Sequence, residues 1–274
     1  MRPKVFSLLM IILPLSLMAQ PKWKKSMEPT EAEMYLFQST QTANFQTTTT
    51  PQKGDFKFEI SHRFANINGG FDRLWGVDGP ATIRLAFGYS PFSCWQLALG
   101  RSNLDGNWDL WVKWRFLEIR NEQFPNALAV RVGGAWNSTV KIEGEREKTD
   151  SRNFQGYAQL IWNVQIKKKL SLGIVPSYLY NSHVLCKDVE YSFTLGDYIT
   201  YYITSLYNIF AEWNPTISGW RDQVNSYAFG VGLETGGHSF KIFVTNNNRI
   251  NPSQYLAGSP NNDLRFAFNI TRAL

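Results

Sequence analysis

The chain has 274 residues, 28 Lys and Arg against 22 Asp and Glu for a net charge of +6, and 43% hydrophobic residues. That length fits one domain, though it would also fit two in a soluble protein. A mean hydropathy of −0.28, with no apolar run past the N-terminus near the roughly 20 residues of a spanning helix, excludes a helical membrane protein, and scattered rather than clustered basic residues exclude a nucleic-acid surface.

The unusual figure is aromatic content, 15%, with 10 Trp, 12 Tyr and 19 Phe. Amphipathic rings favour the membrane interface, and transmembrane barrels carry girdles of them at both rims. The competing reading, an aromatic-rich soluble sandwich or carbohydrate-binding module, is weakened by an alternation that persists through nearly every segment below.

Met1 to Gln20 opens with Arg2 and Lys4, continues apolar from Val5 to Leu17, and offers a cleavage point after Ala19. This is the architecture of an export signal over residues 1–19, too short to span once folded. Leu17 stands where a small residue is preferred, and no cysteine follows that would take a lipid anchor. Residues 20–53 are polar and threonine-rich, with Thr47 to Thr50 and then Pro51. They read as a periplasmic tail or a segment folded into a barrel mouth, with simple disorder as the competing reading.

From Asp55 to Phe64 the chain alternates strictly. Phe56, Phe58, Ile60 and Phe64 share one face; Asp55, Lys57, Glu59, Ser61 and Arg63 share the other. A period of two puts successive side chains on opposite sheet faces. The pattern returns at Ile83–Tyr89, Trp95–Gly100, Trp108–Phe116, Leu128–Val132, Gln159–Val164, Leu170–Tyr178, Tyr227–Glu234, Phe240–Thr245 and Leu264–Thr271. Tyr191 to Trp213 is less regular and reads as two strands with a bend near Asp197. The expectation is an all-β fold: a single transmembrane antiparallel barrel over residues 54–274, of about twelve strands (range about 10–14), lipid outside and water inside.

Connections sort by length. Ser90–Ser93, Gln165–Lys168 and Thr235–Gly237 are tight; Ala65–Pro80, Asn137–Arg152, Asn181–Glu190, Asn214–Val224 and Asn246–Asn261 are long. Short periplasmic turns and longer outer loops are the usual asymmetry, and with a periplasmic N-terminus every long loop falls outside. Asn103–Asp105, short outside, and Leu117–Pro125, long inside, soften the rule.

The run Gly54-Asp55-Phe56-Lys57-Phe58-Glu59-Ile60-Ser61-His62-Arg63-Phe64, with Gly76-Val77-Asp78-Gly79, Leu99-Gly100-Arg101-Ser102 and Phe268-Asn269-Ile270-Thr271-Arg272, resembles the DUF5777 family of outer-membrane barrels. The resemblance covers most of Leu36 to Leu274 and implies a barrel in the outer membrane of a Gram-negative bacterium, with no activity attached. The chain ends in Leu274 rather than the aromatic usual in barrel assembly signals, a departure that bears on recognition by the insertion machinery.

Strand parity turns Lys57, Arg63, Arg84, Asp109, Lys113, Arg115, Arg131, Glu234, Lys241 and Arg265 inward, joined by Asp55, Glu59 and Glu212. An excess of inward Lys and Arg favours anions in an open pore. The bland alternative is a network of paired charges filling a narrow lumen, helped by inward Trp111, Tyr157 and Phe243. The leading expectation is therefore a passive or weakly selective pore for small polar or anionic solutes. Its rival is a non-conducting structural or surface-interaction barrel. Outer-membrane lipid, the barrel-assembly machinery and envelope proteins are the expected partners, with nucleic acid not among them.

Catalytic and metal chemistry find little support. His62, His183 and His238 read as standing off metal-ligand spacing from one another and from cysteine, and Ser61 and His62 point to opposite faces, so neither an enzyme nor a cofactor is expected. Cys94 belongs to a periplasmic turn and Cys186 to an outer loop, separated by about 25 Å of apolar band, while a bridge needs Cα atoms within about 7 Å. Two unpaired thiols follow. The sequons Asn137-Ser138-Thr139 and Asn269-Ile270-Thr271 are chance matches on such an export route. Asn246 to Asn248 with Asn261 and Asn262 read as turn chemistry, with a sugar-binding loop as the minor alternative.

Overall fold

Backbone N–H and C=O groups find no partner in hydrocarbon, so a sheet that crosses a membrane must close on itself. In the computed structural model, which describes residues 36–142 and 145–274, it does. The strands are β1 (Phe56–Asn66), β2 (Thr82–Tyr89), β3 (Trp95–Ser102), β4 (Asn107–Ile119), β5 (Asn126–Asn137), β6 (Phe154–Ile166), β7 (Leu170–Tyr180), β8 (Tyr191–Tyr202), β9 (Tyr207–Asn214), β10 (Thr216–Gly219), β11 (Ser226–Thr235), β12 (His238–Thr245) and β13 (Arg265–Ala273). Every neighbouring pair is antiparallel; β1 pairs with β13 and β8 with β9, which closes the ring. The expected export signal, residues 1–19, lies outside the described residues.

Twelve strands form the wall and β10 is an addition to it. Pro215 lacks an N–H and interrupts the ninth strand, yet its carbonyl still accepts from Leu195 N at 3.0 Å. β10 then resumes the pairing along β8, from Thr194 to Ser192. One expectation is corrected here. Asp197 lies inside an unbroken β8, paired with Ile174 on one side and Trp213 on the other; the reversal comes at residues 203–206, where Thr204 Oγ1 accepts from Leu206 N and Tyr207 N. Alternation continues through Asp197, which shares the outward face with Leu195 and Ile199 while Gly196 and Tyr198 turn inward.

Burial follows the period of two. In β2 the pattern is buried, exposed, buried, exposed along its whole length. Ile83, Leu85 and Phe87 are exposed toward the membrane, while Arg84 and Ala86 are buried inside. Aromatic pairs mark both rims: Phe56 with Tyr89 and Trp95 with Trp114 at the short-turn end, Trp136 with Phe154 and Tyr178 with Tyr191 at the long-loop end. Both chain ends of the wall lie at the short-turn end, where Leu274 N donates to Phe56 O at 2.8 Å.

Candidate functional site: the plugged lumen

A wall lined with Lys, Arg, Glu, Asn and Thr must give those groups partners, because a buried charge left unpaired is costly. The partners come from the chain itself. Residues 36–50, which carry no charged side chain, run into the barrel from the short-turn end and return to it. Gln41 and Gln46 form an antiparallel bridge, Thr47 N donates to Thr40 O, and Thr42 N to Phe45 O at 2.9 Å. The result is a small hairpin with its tip at Thr42–Phe45.

That tip wraps one carboxylate. Glu212, inward from β9 and buried, accepts through Oε2 from Thr42 Oγ1 at 2.8 Å, Ala43 N at 3.1 Å, Asn44 N at 3.0 Å and Phe45 N at 3.4 Å, and through Oε1 from Asn44 Nδ2 at 2.5 Å. Successive backbone N–H groups converging on an anion form a nest; here the peptide supplies the nest and the wall supplies the anion. Opposite it, Arg63 Nη2 donates to Ala43 O and Asn44 Oδ1, with its Nη1 on Asn269 Oδ1 at 2.9 Å. The tip therefore sits between a wall anion and a wall cation, its donors on one and its acceptors on the other.

The legs are held in the same way. Lys113 Nζ donates to Thr47 O at 2.9 Å and Thr49 O at 2.7 Å; Lys241 Nζ to Gln41 O at 2.6 Å; Lys57 Nζ to Thr40 Oγ1 at 2.5 Å. Asn163 Oδ1 accepts from Thr48 N at 2.7 Å, and Tyr202 Oη from Gln38 N at 3.0 Å. Apolar contacts add to these, with Phe37 and Phe45 both against Tyr198 of β8. Ala43 packs with Phe210, Ala228, Phe243 and Ala267, and Phe45 lies over Gly196, where a methyl group would overlap its ring.

From the other end the loop between β12 and β13 folds inward. It carries a short helix α1 (Pro252–Tyr255), all four of whose residues are buried. Gln155 Nε2 donates to Ser253 O at 2.8 Å and Asn214 Nδ2 to Tyr255 O at 3.2 Å. Gln254 Nε2 donates to Asp105 Oδ2 at 3.2 Å in the β3–β4 turn. Burial pushes the Asp105 carboxyl above the ordinary aspartate range, against the pull of Arg249 and this hydrogen bond. The asparagines of the loop serve its geometry: Asn246 Nδ2 donates to Asn225 O, Asn247 Nδ2 to Gly258 O, and Asn247 Oδ1 accepts from Arg249 N.

Of the residues assigned inward from sequence, Lys57, Arg63, Arg84, Asp109, Lys113, Arg131, Glu234, Lys241 and Arg265 are buried on the inner face. Arg84 holds Glu59 at 2.8 Å and Asp109 at 2.8 Å, and Lys241 holds Glu234 at 3.1 Å. Among the described residues Arg131 forms no ion pair; it lies over Trp111 at 4.2 Å and donates to Gln159. Arg115 differs: it is half-buried at the short-turn rim beside Glu118, at 3.5 Å, because β4 runs past the lumen there. Asp55 is likewise at the rim, accepting from Gln52 N.

The histidine reading needs one correction. His183 and Cys186 stand three residues apart, and the β7–β8 loop brings Cys186 Sγ within 2.8 Å of His183 Nδ1, with the imidazole stacked on Trp220. No group of three or more His, Cys, Asp or Glu suited to a metal occurs among the described residues. Cys94 and Cys186 are free and lie at opposite ends of the wall.

Sequence reasoning offered a segment folded into the barrel mouth only as one of its readings of residues 20–53, and it missed the nest on Glu212 and the infolded loop. One signal was available: a stretch of fifteen residues, 36–50, without a charge is unusual for a solvated tail and suits burial against a charged wall.

Barrels of known structure resemble this one. NanC porin is 11% identical, over 79% of this chain and 97% of that one, with a TM-score of 0.48. An outer-membrane channel from Pseudomonas putida F1 is 11% identical over 83% and 98%, at 0.46. Outer membrane phospholipase A from Escherichia coli is 10% identical over 82% and 91%, at 0.39. The likeness concerns the fold alone. No curated protein matches the sequence. The model of the DUF5777 family, described as a membrane bound beta barrel domain, matches residues 37–274, which takes in the plugging hairpin as well as the wall. The chain belongs to that family of membrane-bound β-barrels, and its place is the outer membrane of a Gram-negative bacterium.

Proposed function

We propose that this protein is a self-plugged pore: closed as folded, and passing small polar solutes, anions in preference, when the hairpin of residues 36–50 withdraws toward the periplasm. The observation that carries the reading is the clasp between Glu212 and the hairpin tip. A permanent filling is best built from apolar side chains, since replacing buried charges by packed hydrophobic groups is often neutral or stabilising. This wall instead holds the tip and legs of its plug by many hydrogen bonds, which water can replace, beside the packing of Phe37, Ala43 and Phe45. Gln96, Asn208 and Tyr157 keep polar atoms without a partner among the described residues, as suits a surface compatible with solvent. Both legs of the hairpin end at the short-turn side, so it can leave without threading chain through the barrel.

Basic groups outnumber carboxylates on the inner face, which lowers the barrier to anions once the lumen is wet. Planar-bilayer recording tests the reading. Full-length protein is expected to be silent or rarely open, and Glu212→Gln to conduct. Charge reversal at Arg84, Lys113 and Arg131 should then shift selectivity toward cations. A folded Glu212→Gln protein that never conducts sinks the pore.

A second reading has its own support. The loop between β1 and β2 exposes Phe71, Leu74, Trp75 and Val77, with Leu74 and Trp75 both at positive φ. Strained apolar residues held on an outer loop fit a barrel that offers a contact surface to an envelope partner. A pull-down from intact cells that depends on Phe71 and Trp75, with no conductance in any variant, would favour it.

A further inference from the structure

The turn that joins β6 to β7 is made of Lys167, Lys168 and Lys169, all exposed. Lys167 has φ 52° and Lys168 φ 57°, and Lys169 N donates to Ile166 O at 3.2 Å. Two consecutive left-handed residues under such a bond are the mark of a type I′ turn, for which Asn-Gly is the usual solution. Lysine gains nothing from that conformation, because its Cβ crowds the carbonyl. The other tight turns of this end, 90–94, 203–206 and 236–237, contain no lysine and each includes Ser, Pro, Thr or Gly. A pair of lysines standing where turn chemistry disfavours them points to use of their charge.

The surroundings indicate for what. Among the described residues none of the three ammonium groups forms a salt bridge. The outward face below the turn is apolar to its edge, with Trp162, Val164, Ile166, Leu170 and Leu172. On the adjoining strands and turns stand exposed Phe124, Tyr201, Ile203 and Leu206. The lysines thus rise where hydrocarbon gives way to headgroups, at the short-turn end, which faces the periplasm in outer-membrane barrels. Lysine reaches from such a place with its stem in the apolar layer and its charge in the polar one.

We propose that Lys167, Lys168 and Lys169 form a binding site for the phosphate headgroup of an anionic phospholipid in the periplasmic leaflet. A phosphodiester would be held by the ammonium groups of the turn while its acyl chains lie along Trp162, Leu170 and Tyr201. Charge attraction at a membrane surface adds per lysine and is screened by salt, so the site should distinguish phosphatidylglycerol from phosphatidylcholine.

The experiment uses the folded full-length protein in detergent, titrated with phosphatidylglycerol or phosphatidylcholine and read by native mass spectrometry. Wild type is expected to retain phosphatidylglycerol roughly fivefold or more over phosphatidylcholine, with the preference reduced by salt. The variant Lys167→Asn with Lys168→Gly suits the turn better, so its unfolding midpoint should hold or rise while the preference falls towards one. Replacement of both by arginine should keep the preference. Equal retention of the two lipids by wild type, or a preference that the Asn-Gly variant keeps, overturns the proposal. So would retention of acidic peptidoglycan fragments, but not of phosphatidylglycerol, which assigns the charge to another polymer.

Discussion

Phe45 and Tyr255 meet edge to face inside the barrel, ring centroids 5.3 Å apart and planes at 78°. Phe45 belongs to the hairpin that enters from the short-turn end, and Tyr255 to α1, which enters from the other. This contact is where the two fillings of the lumen join, so either should report on the other. An edge-to-face pair contributes about 0.5–1.5 kcal/mol beyond its burial. Tyr255→Ala should therefore loosen the hairpin as well as its own loop, seen as faster proteolysis or exchange near residues 42–45. Unchanged protection of the hairpin would show the two fillings to be independent.

Glu212→Gln removes a charge that accepts from three successive backbone N–H groups. Hydrogen bonds to charged groups are worth about 1.5–3 kcal/mol each in isolation, and shared ones do not add. A loss of about 2–4 kcal/mol in unfolding free energy is expected, together with exposure of residues 36–50 to protease. The heat-modifiable barrel itself should survive on semi-native gels. A variant with wild-type stability would mean that the tip is held elsewhere.

Gly196 supplies room rather than flexibility, because the Phe45 ring occupies the space of its missing Cβ. Gly196→Ala should cost about 1–3 kcal/mol by overpacking and displace the hairpin. Adding Phe45→Ala should recover part of that cost. A double-mutant cycle on urea midpoints measures the coupling, and additivity would contradict the contact.

Asp105 lies in the β3–β4 turn at φ 57°, and burial raises its carboxyl. Raised in the folded state, this acid weakens the fold progressively as pH climbs from the unfolded pKa through the folded one; protonation restores the loss. Asparagine keeps an oxygen for Gln254, carries no charge and tolerates the left-handed region. Asp105→Asn should thus raise the unfolding midpoint at neutral pH, with the advantage shrinking as pH falls into the ordinary aspartate range. An advantage independent of pH would leave only the backbone effect.

Cys94 and Cys186 test the orientation. An impermeant maleimide should label Cys186 on intact cells and Cys94 only after the outer membrane is opened, because an odd number of crossings lies between them. His183 at 2.8 Å from Cys186 Sγ should influence the rate, so His183→Ala is expected to change Cys186 labelling and leave Cys94 unaffected. Labelling of both thiols from outside would overturn the topology.

The wall was legible in the chain because its rule is local. Phe56, Phe58 and Ile60 must face lipid and Lys57, Glu59 and Ser61 must not, and a period of two enforces this on each strand separately. The bend assigned to Asp197 is absent because that residue sits on the outward face, between Leu195 and Ile199, and the ladder on both sides of it holds the strand straight whatever side chain it carries.

By itself, then, the sequence determined the closed sheet, the side to which most charged strand residues turn, though not Arg115 or Asp55 at the rim, and the membrane in which it lies. Only the tertiary structure decided what those charges meet. Thr42 and Glu212 are 170 residues apart, and Gln155 and Ser253 are 98 apart. Neither the hairpin nor the infolded loop has a period of its own, since each is shaped by the wall around it. Whether inward Lys, Arg and Glu line water or grip peptide depends on partners that no local pattern names, and the long-range hydrogen bonds of a filled lumen made that choice.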